Sequence, residues 1–448
     1  MHDSPKNLSQ KIVADAKKLG ASAVDSVVVE NISKSIEVKN GNLEKIEQSE
    51  KLSLGVRVFV GYRSACVSIS NKSNSSLEQM IIRAIAMAKE SPPDEFSALA
   101  TKNQFLGDFK IEKFNLFDEY FNTAELDKLK SLAIEMEKSA LSVSGISQCE
   151  GGINCNLSKF HMSSSNGFSQ GYSKTGFQLF CSAIANDGFL MERDFATETR
   201  SFFYDLPEVN TLGHLAAKRA ASRLNPKTPP TGSFPVLFDE RVAKTLVLHL
   251  ISAINGASIA RGSSWLLNSL GSPVLPKKIT LSEDPNRPKI AGSRPFDGEG
   301  LPTSKKDFVE DGKLKQLLLD LRSARQLNLK PCGNAFRSLA FPPYPSVGNI
   351  KLSSGKKSPS EIIQKIKSGF LVNSLMGSTI NQNTGDYSRG ASGFWIKNGE
   401  IAFPVNRCTI AGNLKEMLLN LIPANDSNHH LSYEVPSLLI EKMIVAGQ

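Results

Sequence analysis

A single histidine, His249, lies in an apolar stretch of the sequence, TLVLHLISAINGAS, at 245 to 258. Zinc peptidases commonly carry two histidines one helical turn apart with a glutamate beside the first, so that both imidazoles reach one metal ion and the carboxylate deprotonates the bound water. The five residues after His249 read LISAI, which supplies neither the adjacent acid nor a second ligand. We therefore interpret His249 as a packed side chain of a buried helix and predict no metal site around it.

A neighbouring histidine pair, His429 and His430, lies in the polar segment NDSNHH, which we interpret as a loop. The side chains of adjacent residues diverge, and two nitrogen ligands without a third bind zinc weakly. One alternative stays open, in which the chain is an independent metallopeptidase that uses these two histidines and a carboxylate. Motifs for a serine nucleophile, a P-loop and a dinucleotide-binding turn are absent from the sequence. The residues themselves therefore predict no catalytic group and no cofactor in this chain.

Charged residues stand among glycines in two further segments, SRPFDGEGLPT at 293 to 303 and TGDYSRGASGFW at 384 to 395. We interpret both as glycine-rich loops. Rigid loops of this composition hold ligands or partners in many proteins, and a salt-bridged turn explains them equally well. From these segments and the stretch after His249 we predict seven substrate or interface residues: Arg261, Arg294, Asp297, Glu299, Asp386, Tyr387 and Arg389.

Helical and strand periodicities predict the elements that position these candidates. Apolar residues at helical spacing indicate a first helix that Gly20 ends, and alternating apolar residues at 52–60 and 65–69 indicate a hairpin with one buried face. Asn40-Gly41 and Asn398-Gly399 are typical of tight hairpin turns. We further predict strands at 24–30, 34–41 and within 146–205, and helices at 76–90, 124–141, 211–224, 359–368 and 414–421.

The chain of 448 residues is too long for one ordinary core, so we expect several domains. The proline-rich segment NPKTPP at 225–230 is the best candidate for a linker. We predict domains at 1–110, 111–226 and 231–448. Because strands follow strands, we predict an α+β fold, with an N-terminal mixed region of antiparallel hairpins and a larger C-terminal domain rich in antiparallel β-sheet.

Composition and charge favour some classes of protein over others. The net charge of +9 is spread along the chain without a long basic run, so nucleic-acid binding is not favoured. No apolar run approaches the roughly 18 residues of a membrane span, and the first residues lack a hydrophobic signal core. The six cysteines form no CxxC pair. We expect a cytoplasmic protein without a zinc knuckle or a redox motif.

Seven segments in matching order resemble the TldD/PmbA family, and specifically its PmbA (TldE) branch. They cover essentially the whole chain, which makes the match highly specific. The segments are GVRVFVGYRSACVS near the N-terminus, SSSNGFSQGYS at 163–173, HLISAINGASIARGSSWLLNSLG at 249–271, PFDGEGLPT at 295–303, TGDYSRGASGFWIKNGEIAFPV at 384–405, TIAGNLKEM at 409–417 and the terminal IVAGQ.

The resemblance implies a cytosolic bacterial peptidase system in which a TldD-type chain and a PmbA-type chain form a heterodimer. In that family the TldD-type chain resembles a zinc metallopeptidase, with an HExxxH helix and a later cysteine as ligands, and it cleaves unfolded or extended peptides, including peptide-antibiotic precursors. The segment around His249 occupies the region of that helix without the HExxxH set, and no cysteine follows Cys408. The resemblance therefore implies a subunit without its own zinc, whose partner carries the metal.

Such a subunit is expected to shape a peptide channel and to stabilise the catalytic chain, with the two glycine-rich segments lining a cavity or an interface. When no partner is present, homodimerisation through the C-terminal domain is an alternative assembly. A binding protein that acts on a gyrase or nucleic-acid partner is the remaining alternative, suggested by the net charge alone.

Overall fold

The computed structural model of the chain describes residues 4–105 and 109–447. The outer ends of the first and last predicted domains, at residues 1 and 448, lie outside this range. Six strands of the first half form one antiparallel sheet in the order β3-β2-β1-β4-β5-β6. In chain order the elements are α1 (Pro5–Lys18), β1 (Ala23–Lys39), β2 (Asn42–Val60), β3 (Arg63–Ile69), α2 (Asn74–Glu90), α3 (Tyr120–Thr123), α4 (Leu126–Leu141), β4 (Ile146–Ser164), β5 (Ser169–Asn186), β6 (Met191–Arg200) and α5 (Val209–Ala221).

The helices pack on one face of this sheet. Val24 and Val28 of β1 lie in a core with α1 and α2, and Ile36 of the same strand lies in a second core with α4 and α5. Alternate residues of a strand point to opposite faces, so Asp25 and Val27 point away from these helices. Val27 packs there against an aromatic cluster that includes residues from the second half of the chain.

Strand β1 is longer than the sequence predicts. Two strands were expected at 24–30 and 34–41, whereas β1 runs without a break over Ala23–Lys39 and pairs with β2 and β4 along that length. The half-exposed polar residues in its middle obscure the alternation on which the prediction depends. The predicted turn at Asn40-Gly41 is confirmed, with positive φ angles of 53° and 72°.

The sheet also crosses the predicted boundary between the first two domains. Strand β1 pairs with β4 over fifteen residue pairs from Asp25↔Ser164 to Lys39↔Glu150. Strands from both predicted domains therefore share one hydrogen-bonded sheet. The three-domain division of the chain stays a proposal.

Five strands of the second half close into a β-barrel in the order β16-β15-β14-β7-β19, because β16 also pairs with β19. All of these pairings are antiparallel except β7 with β14. The elements are β7 (Gly232–Phe238), α6 (Glu240–Ala253), α7 (Gly256–Ala260), β8 (Leu281–Glu283), β9 (Lys306–Glu310), β10 (Lys313–Leu314), α8 (Leu321–Gln326), β11 (Ala335–Phe336), β12 (Tyr344–Pro345), β13 (Ile350–Leu352), α9 (Pro359–Ile363), β14 (Ser368–Ile380), β15 (Asp386–Lys397), β16 (Glu400–Asn413), α10 (Leu414–Leu419), β17 (Leu421–Pro423), β18 (Tyr433–Glu434) and β19 (Leu438–Gly447).

The predicted fold class is confirmed: the chain is α+β, and antiparallel sheet dominates its C-terminal half. The turn predicted at Asn398-Gly399 joins β15 to β16. Helix α6 begins after Asp239, whose side chain accepts from the N–H of Arg241, and its apolar residues lie in one core with the barrel strands. No helix in the described ranges is long and apolar enough to cross a membrane.

The interpretation of residues 384–395 as a glycine-rich loop was wrong, because β15 begins at Asp386. Its glycines permit close packing between strands. A Cβ atom on Gly393 would lie 1.9 Å from the carbonyl oxygen of Leu371 on β14, a distance that no side chain tolerates. Glycine in this strand therefore reflects a close approach of two backbones.

Candidate functional sites

His249, near the end of α6, packs against a tyrosine of the barrel. Its ring lies edge-to-face on Tyr387 with the two centroids 6.0 Å apart. The Nε2 atom of His249 is buried and has no hydrogen-bond partner among the residues that the structure describes. Burial, and then the positive charge of Arg389, lower the pKa of His249 to about 4. The imidazole is therefore neutral at pH 7.

Tyr387 and Arg389 lie two residues apart on β15 and so share one face of the strand. Tyr387 is only 2% exposed, its hydroxyl finds no partner within the described ranges, and burial raises its pKa to about 12. Arg389 Nε donates to the carbonyl oxygen of Gly377 at 2.8 Å. The structure thus brings two of the predicted residues to His249.

Asp386 lies on the opposite face of β15 and is exposed. Its carboxylate accepts from Thr384 Oγ1 at 2.6 Å and from Asn413 Nδ2 at 3.0 Å. These two hydrogen bonds, that of Thr384 first, lower the pKa of Asp386. The side chain of Arg261, after α7, is also exposed and makes no hydrogen bond or ion pair with described residues. Both side chains are therefore accessible to a partner or a ligand.

Arg294, Asp297 and Glu299 are buried together with the loop that carries them. Asp297 accepts from the backbone N–H groups of Glu299, Leu301 and Ala335 at 2.9 to 3.0 Å. Burial raises the pKa of Asp297. These hydrogen bonds help to hold the loop in place.

Glu299 accepts from the N–H of Leu321 at 2.8 Å, at the start of α8. Burial, and then the neighbouring Asp297 carboxylate, raise the pKa of Glu299 to about 8. The carboxyl group is therefore mostly protonated at pH 7. Among the described residues, no hydrogen bond or ion pair joins the 294–299 loop to Tyr387 or Arg389. The three loop residues and the pair on β15 are therefore separate, and the exposed Asp386 and Arg261 belong to neither group.

Two buried ionic groups were not predicted from the sequence, except for Arg294 in the second of them. In the Asp25 cluster, the carboxylate of Asp25 accepts from Arg57 Nε at 2.5 Å and from Arg337 Nε at 3.0 Å. Burial alone would raise the pKa of Asp25, but the two guanidinium groups hold it below its ordinary value. The signal was available in the sequence, because Asp25 and Arg57 each interrupt an apolar strand.

The Glu283 cluster contains the second of these groups. The Glu283 carboxylate lies 3.7 Å from Arg294 Nη2 and 3.4 Å from Lys306 Nζ, and it also accepts from Asn334 and from the N–H of Gly348. Each cluster therefore sets two cations against one carboxylate.

The side chains around His249 do not fit a zinc ion. Zinc requires three or four nitrogen, sulfur or oxygen ligands arranged around it, whereas the polar neighbours of His249 are a phenol and a guanidinium, and the guanidinium repels a cation. Within the described ranges, no group of three or more His, Cys, Asp or Glu side chains is placed to hold a metal ion. His429 Nδ1 lies 2.7 Å from Glu434 Oε1, and Lys351 Nζ lies 2.6 Å from the same oxygen.

Three domain models of one known protein family match the chain along most of its length. Sequence models of PmbA/TldA metallopeptidase domain 1, central domain and C-terminal domain match residues 24–88, 119–224 and 231–447 in that order. The chain belongs to the PmbA/TldD metallopeptidase family. The resemblance stated from the sequence is thereby confirmed.

One relative in the PmbA/TldD family covers the whole chain and another covers about half of it. Metalloprotease PmbA of Escherichia coli O157:H7 is 33% identical over 456 residues, which cover 100% of this chain and 98% of that protein. A metalloprotease TldD homolog of Buchnera aphidicola is 28% identical over 214 residues, which cover 47% of this chain and 44% of that protein.

Solved structures show the same fold. A protein from Bacteroides thetaiotaomicron described as a modulator of DNA gyrase superposes with a TM-score of 0.89 at 24% identity, covering 99% of this chain and 100% of that one. TldE from Thermococcus kodakarensis superposes with a TM-score of 0.84 at 19% identity, covering 98% and 100%.

Proposed function

We propose that this chain is the PmbA/TldE-like, non-catalytic subunit of a cytoplasmic peptidase, and that a TldD-type chain of the same complex carries the zinc. The observation that carries the proposal is the surroundings of His249. A buried neutral imidazole packs on Tyr387 beside the charge of Arg389, at the place where the sequence resemblance puts the zinc helix of the catalytic branch. A metal cation is disfavoured beside His249, and the imidazole contributes to packing.

The names of two similar proteins support the proposed pairing of this chain with a TldD-type chain. One similar structure is a TldE, which has the same fold, and one similar sequence is a TldD homolog, which matches about half of this chain. Two related chains of one fold often assemble through related surfaces. The substrates that we propose are unfolded or extended peptides, including peptide precursors that mature by cleavage.

The proposed role of this subunit is to shape the channel for the peptide. Exposed Asp386 and Arg261 are available to the partner, and Arg389 lies on the same strand as Asp386. Residues 42–53 of β2 pair only with β1 in the described structure, since β3 pairs from Leu54 onward. An extended peptide can add to such an edge through backbone hydrogen bonds, which suits a peptidase of broad specificity.

The test is to co-express this chain with a TldD-type chain from the same genome, purify the complex, and measure peptide cleavage and zinc content. We expect a stable heterodimer, zinc bound to the TldD-type chain, and cleavage that requires both chains. The chain purified alone, as a monomer or a homodimer, should neither cleave peptides nor hold stoichiometric zinc. Failure to pair, or cleavage by the TldD-type chain that is indifferent to this subunit, refutes the proposal.

The contact between His429 and Glu434 favours a second candidate, an independent metallopeptidase. The imidazole and the carboxylate are 2.7 Å apart, and His430 is adjacent in sequence. Lys351 and Arg287 already lie within salt-bridge distance of the same carboxylate, which disfavours a metal ion there. Stoichiometric zinc in the lone chain that is lost in His429→Ala would establish this candidate over the first.

A further inference from the structure

A cavity of about 510 Å³ lies between the N-terminal sheet and loops of the C-terminal half. Ser158, Tyr172 and Lys174 line it from strands β4 and β5, and Arg294 and Arg337 line it from the loops. Glycines at 292, 298 and 348 bring the loop backbone to its wall. Its volume is in the range of pockets that bind small organic molecules.

One arginine of this cavity has an N–H group without a partner among the described residues. Arg294 is 9% exposed, and its Nε is buried without a hydrogen bond to any described residue, although its Nη2 donates to the carbonyl oxygen of Ser346 at 2.9 Å. Arg337 is 6% exposed, its Nε donates to Asp25, and its guanidinium group contacts the Cys66 thiol outside the cavity, so Arg337 contributes charge rather than a free donor. Buried guanidinium donors are almost always hydrogen-bonded in folded proteins, so the Nε–H of Arg294 is a donor available to a ligand in the cavity.

The charges around the cavity have the sign that an anion requires. Arg337 belongs to the Asp25 cluster and Arg294 to the Glu283 cluster, each of which has one cation more than it has carboxylates. Lys174 adds a further cation. The acidic side chain in the wall is Asp297, whose three backbone hydrogen bonds are described above and whose pKa burial raises. The net charge of the side chains around this cavity is therefore positive.

Lys174 is held toward this space. Its Nζ donates to the carbonyl oxygens of Ala291 at 3.2 Å and of Ser293, and it lies 5.2 Å from the centroid of the Tyr172 ring. Burial, and then the charge of Arg294, lower the pKa of Lys174 to about 8. The ammonium group is therefore mostly charged at pH 7, and a bound anion would relieve its repulsion with Arg294.

We propose that this cavity is a binding site for a small organic carboxylate that carries an apolar group, such as the end of a peptide. The free Nε–H group of Arg294 would donate a charge-assisted hydrogen bond to a carboxylate oxygen, and the Lys174 ammonium group would supply a second cation beside it. Phe160, Tyr172 and Phe296 supply apolar walls for the rest of the molecule. A bare inorganic anion would leave these aromatic walls unused. The site goes beyond the subunit proposal, because it needs neither a partner chain nor zinc.

The experiment uses the full chain alone and isothermal titration calorimetry. The probes are N-acetyl-alanyl-phenylalanine as the free acid, the same dipeptide as its C-terminal amide, an amide-capped dipeptide with a glutamate side chain, and inorganic phosphate. We expect the free acid to bind at least about tenfold more tightly than the amide, since a charge-assisted hydrogen bond is lost with the carboxylate. Binding of the glutamate probe instead would place an acidic side chain, rather than a chain end, in the site.

Two variants locate the binding, each with a matched control on β4. Ser158→Phe fills the cavity and should abolish binding, whereas Asn156→Phe, at an exposed position two residues away, should not. Lys174→Gln should weaken binding by about tenfold, whereas Lys159→Gln, which removes an exposed ion pair with Glu30, should not. Far-UV circular dichroism confirms that each variant is folded.

Three results would overturn the proposal: equal affinity of acid and amide, phosphate binding as tight as that of the acid, or no binding of either carboxylate probe at millimolar concentration to the folded chain. None of them affects the pairing with a TldD-type chain, which is measured separately. Loss of pairing, in turn, leaves the titrations interpretable because they use this chain alone.

Discussion

Arg337 Nε donates to Asp25 Oδ1 over 3.0 Å and thereby joins positions 312 residues apart in the sequence. The bond connects the first strand of the N-terminal sheet to a loop of the C-terminal half. Asp25 is completely buried and also accepts from Arg57 at 2.5 Å. One carboxylate thus pairs with guanidinium groups from both halves of the molecule.

We expect Asp25→Asn to destabilise the fold by ~3 to 5 kcal/mol, because it leaves two buried guanidinium groups without a counter-charge. Urea denaturation measures the change. Glu47→Gln removes the carboxylate of an exposed pair with Lys45 on the same sheet and should leave the stability close to that of the unsubstituted chain. Equal effects of the two substitutions on the free energy of unfolding would show that the Asp25 cluster stabilises the fold no more than an exposed ion pair does.

The raised pKa of Glu299 predicts that the free energy of unfolding falls as the pH rises. Its pKa is about 8 in the fold, above the ordinary 4.5, so the folded state binds this proton more tightly than the unfolded state. The stabilisation is complete below about pH 4.5 and is lost as the pH rises through about 8. In Glu299→Gln this decline in the free energy of unfolding should be reduced between pH 5 and 9. Glu310→Gln, at an exposed ion pair, is the control, and an undiminished slope in Glu299→Gln contradicts the assignment.

We expect His249→Ala to lower stability by about 1 to 2 kcal/mol, through the lost packing against Tyr387, without changing the zinc content of the complex. His249→Phe should keep most of the stability because it retains an aromatic ring at this place. His214→Ala, at an exposed histidine of α5, should have little effect. Thermal denaturation and metal analysis give both readouts, and zinc loss in His249→Ala would overturn our interpretation.

The double substitution Asp386→Ala with Arg389→Ala tests the role of β15 in the complex. We expect weaker pairing with the TldD-type chain and at least a severalfold lower peptide turnover, while the chain stays folded. Lys397→Ala, at the exposed end of the same strand, is the matched control. If pairing and turnover both stay unchanged in the double variant, the proposed role of these residues is abandoned.

Backbone pairing of the substrate predicts sensitivity to peptide N-methylation. A peptide methylated on alternate backbone nitrogens loses the donors that add it to a sheet edge, so its cleavage by the complex should fall at least about tenfold. The same peptide methylated on the other set of nitrogens should be cleaved nearly as well, since those N–H groups point away from the edge. Equal cleavage of all three peptides would exclude strand addition.

Much of the local structure follows from the sequence alone. Alternating apolar residues predicted the strands of the first half, and the two Asn-Gly turns lie where they were expected. These features depend on neighbours in the chain, because side-chain alternation and positive φ angles are local properties. The isolation of His249 was likewise visible in its immediate sequence.

The partners of these elements were decided by the tertiary structure. Barrel closure needs β16 to pair with β19, the contact of His249 with Tyr387 needs α6 to pack on β15, and the Asp25 cluster needs both halves of the chain. A local pattern shows that one face of an element is buried, but not which distant segment covers it. For the same reason the glycines of β15 were interpreted as a loop: the strand that they approach lies elsewhere in the sequence.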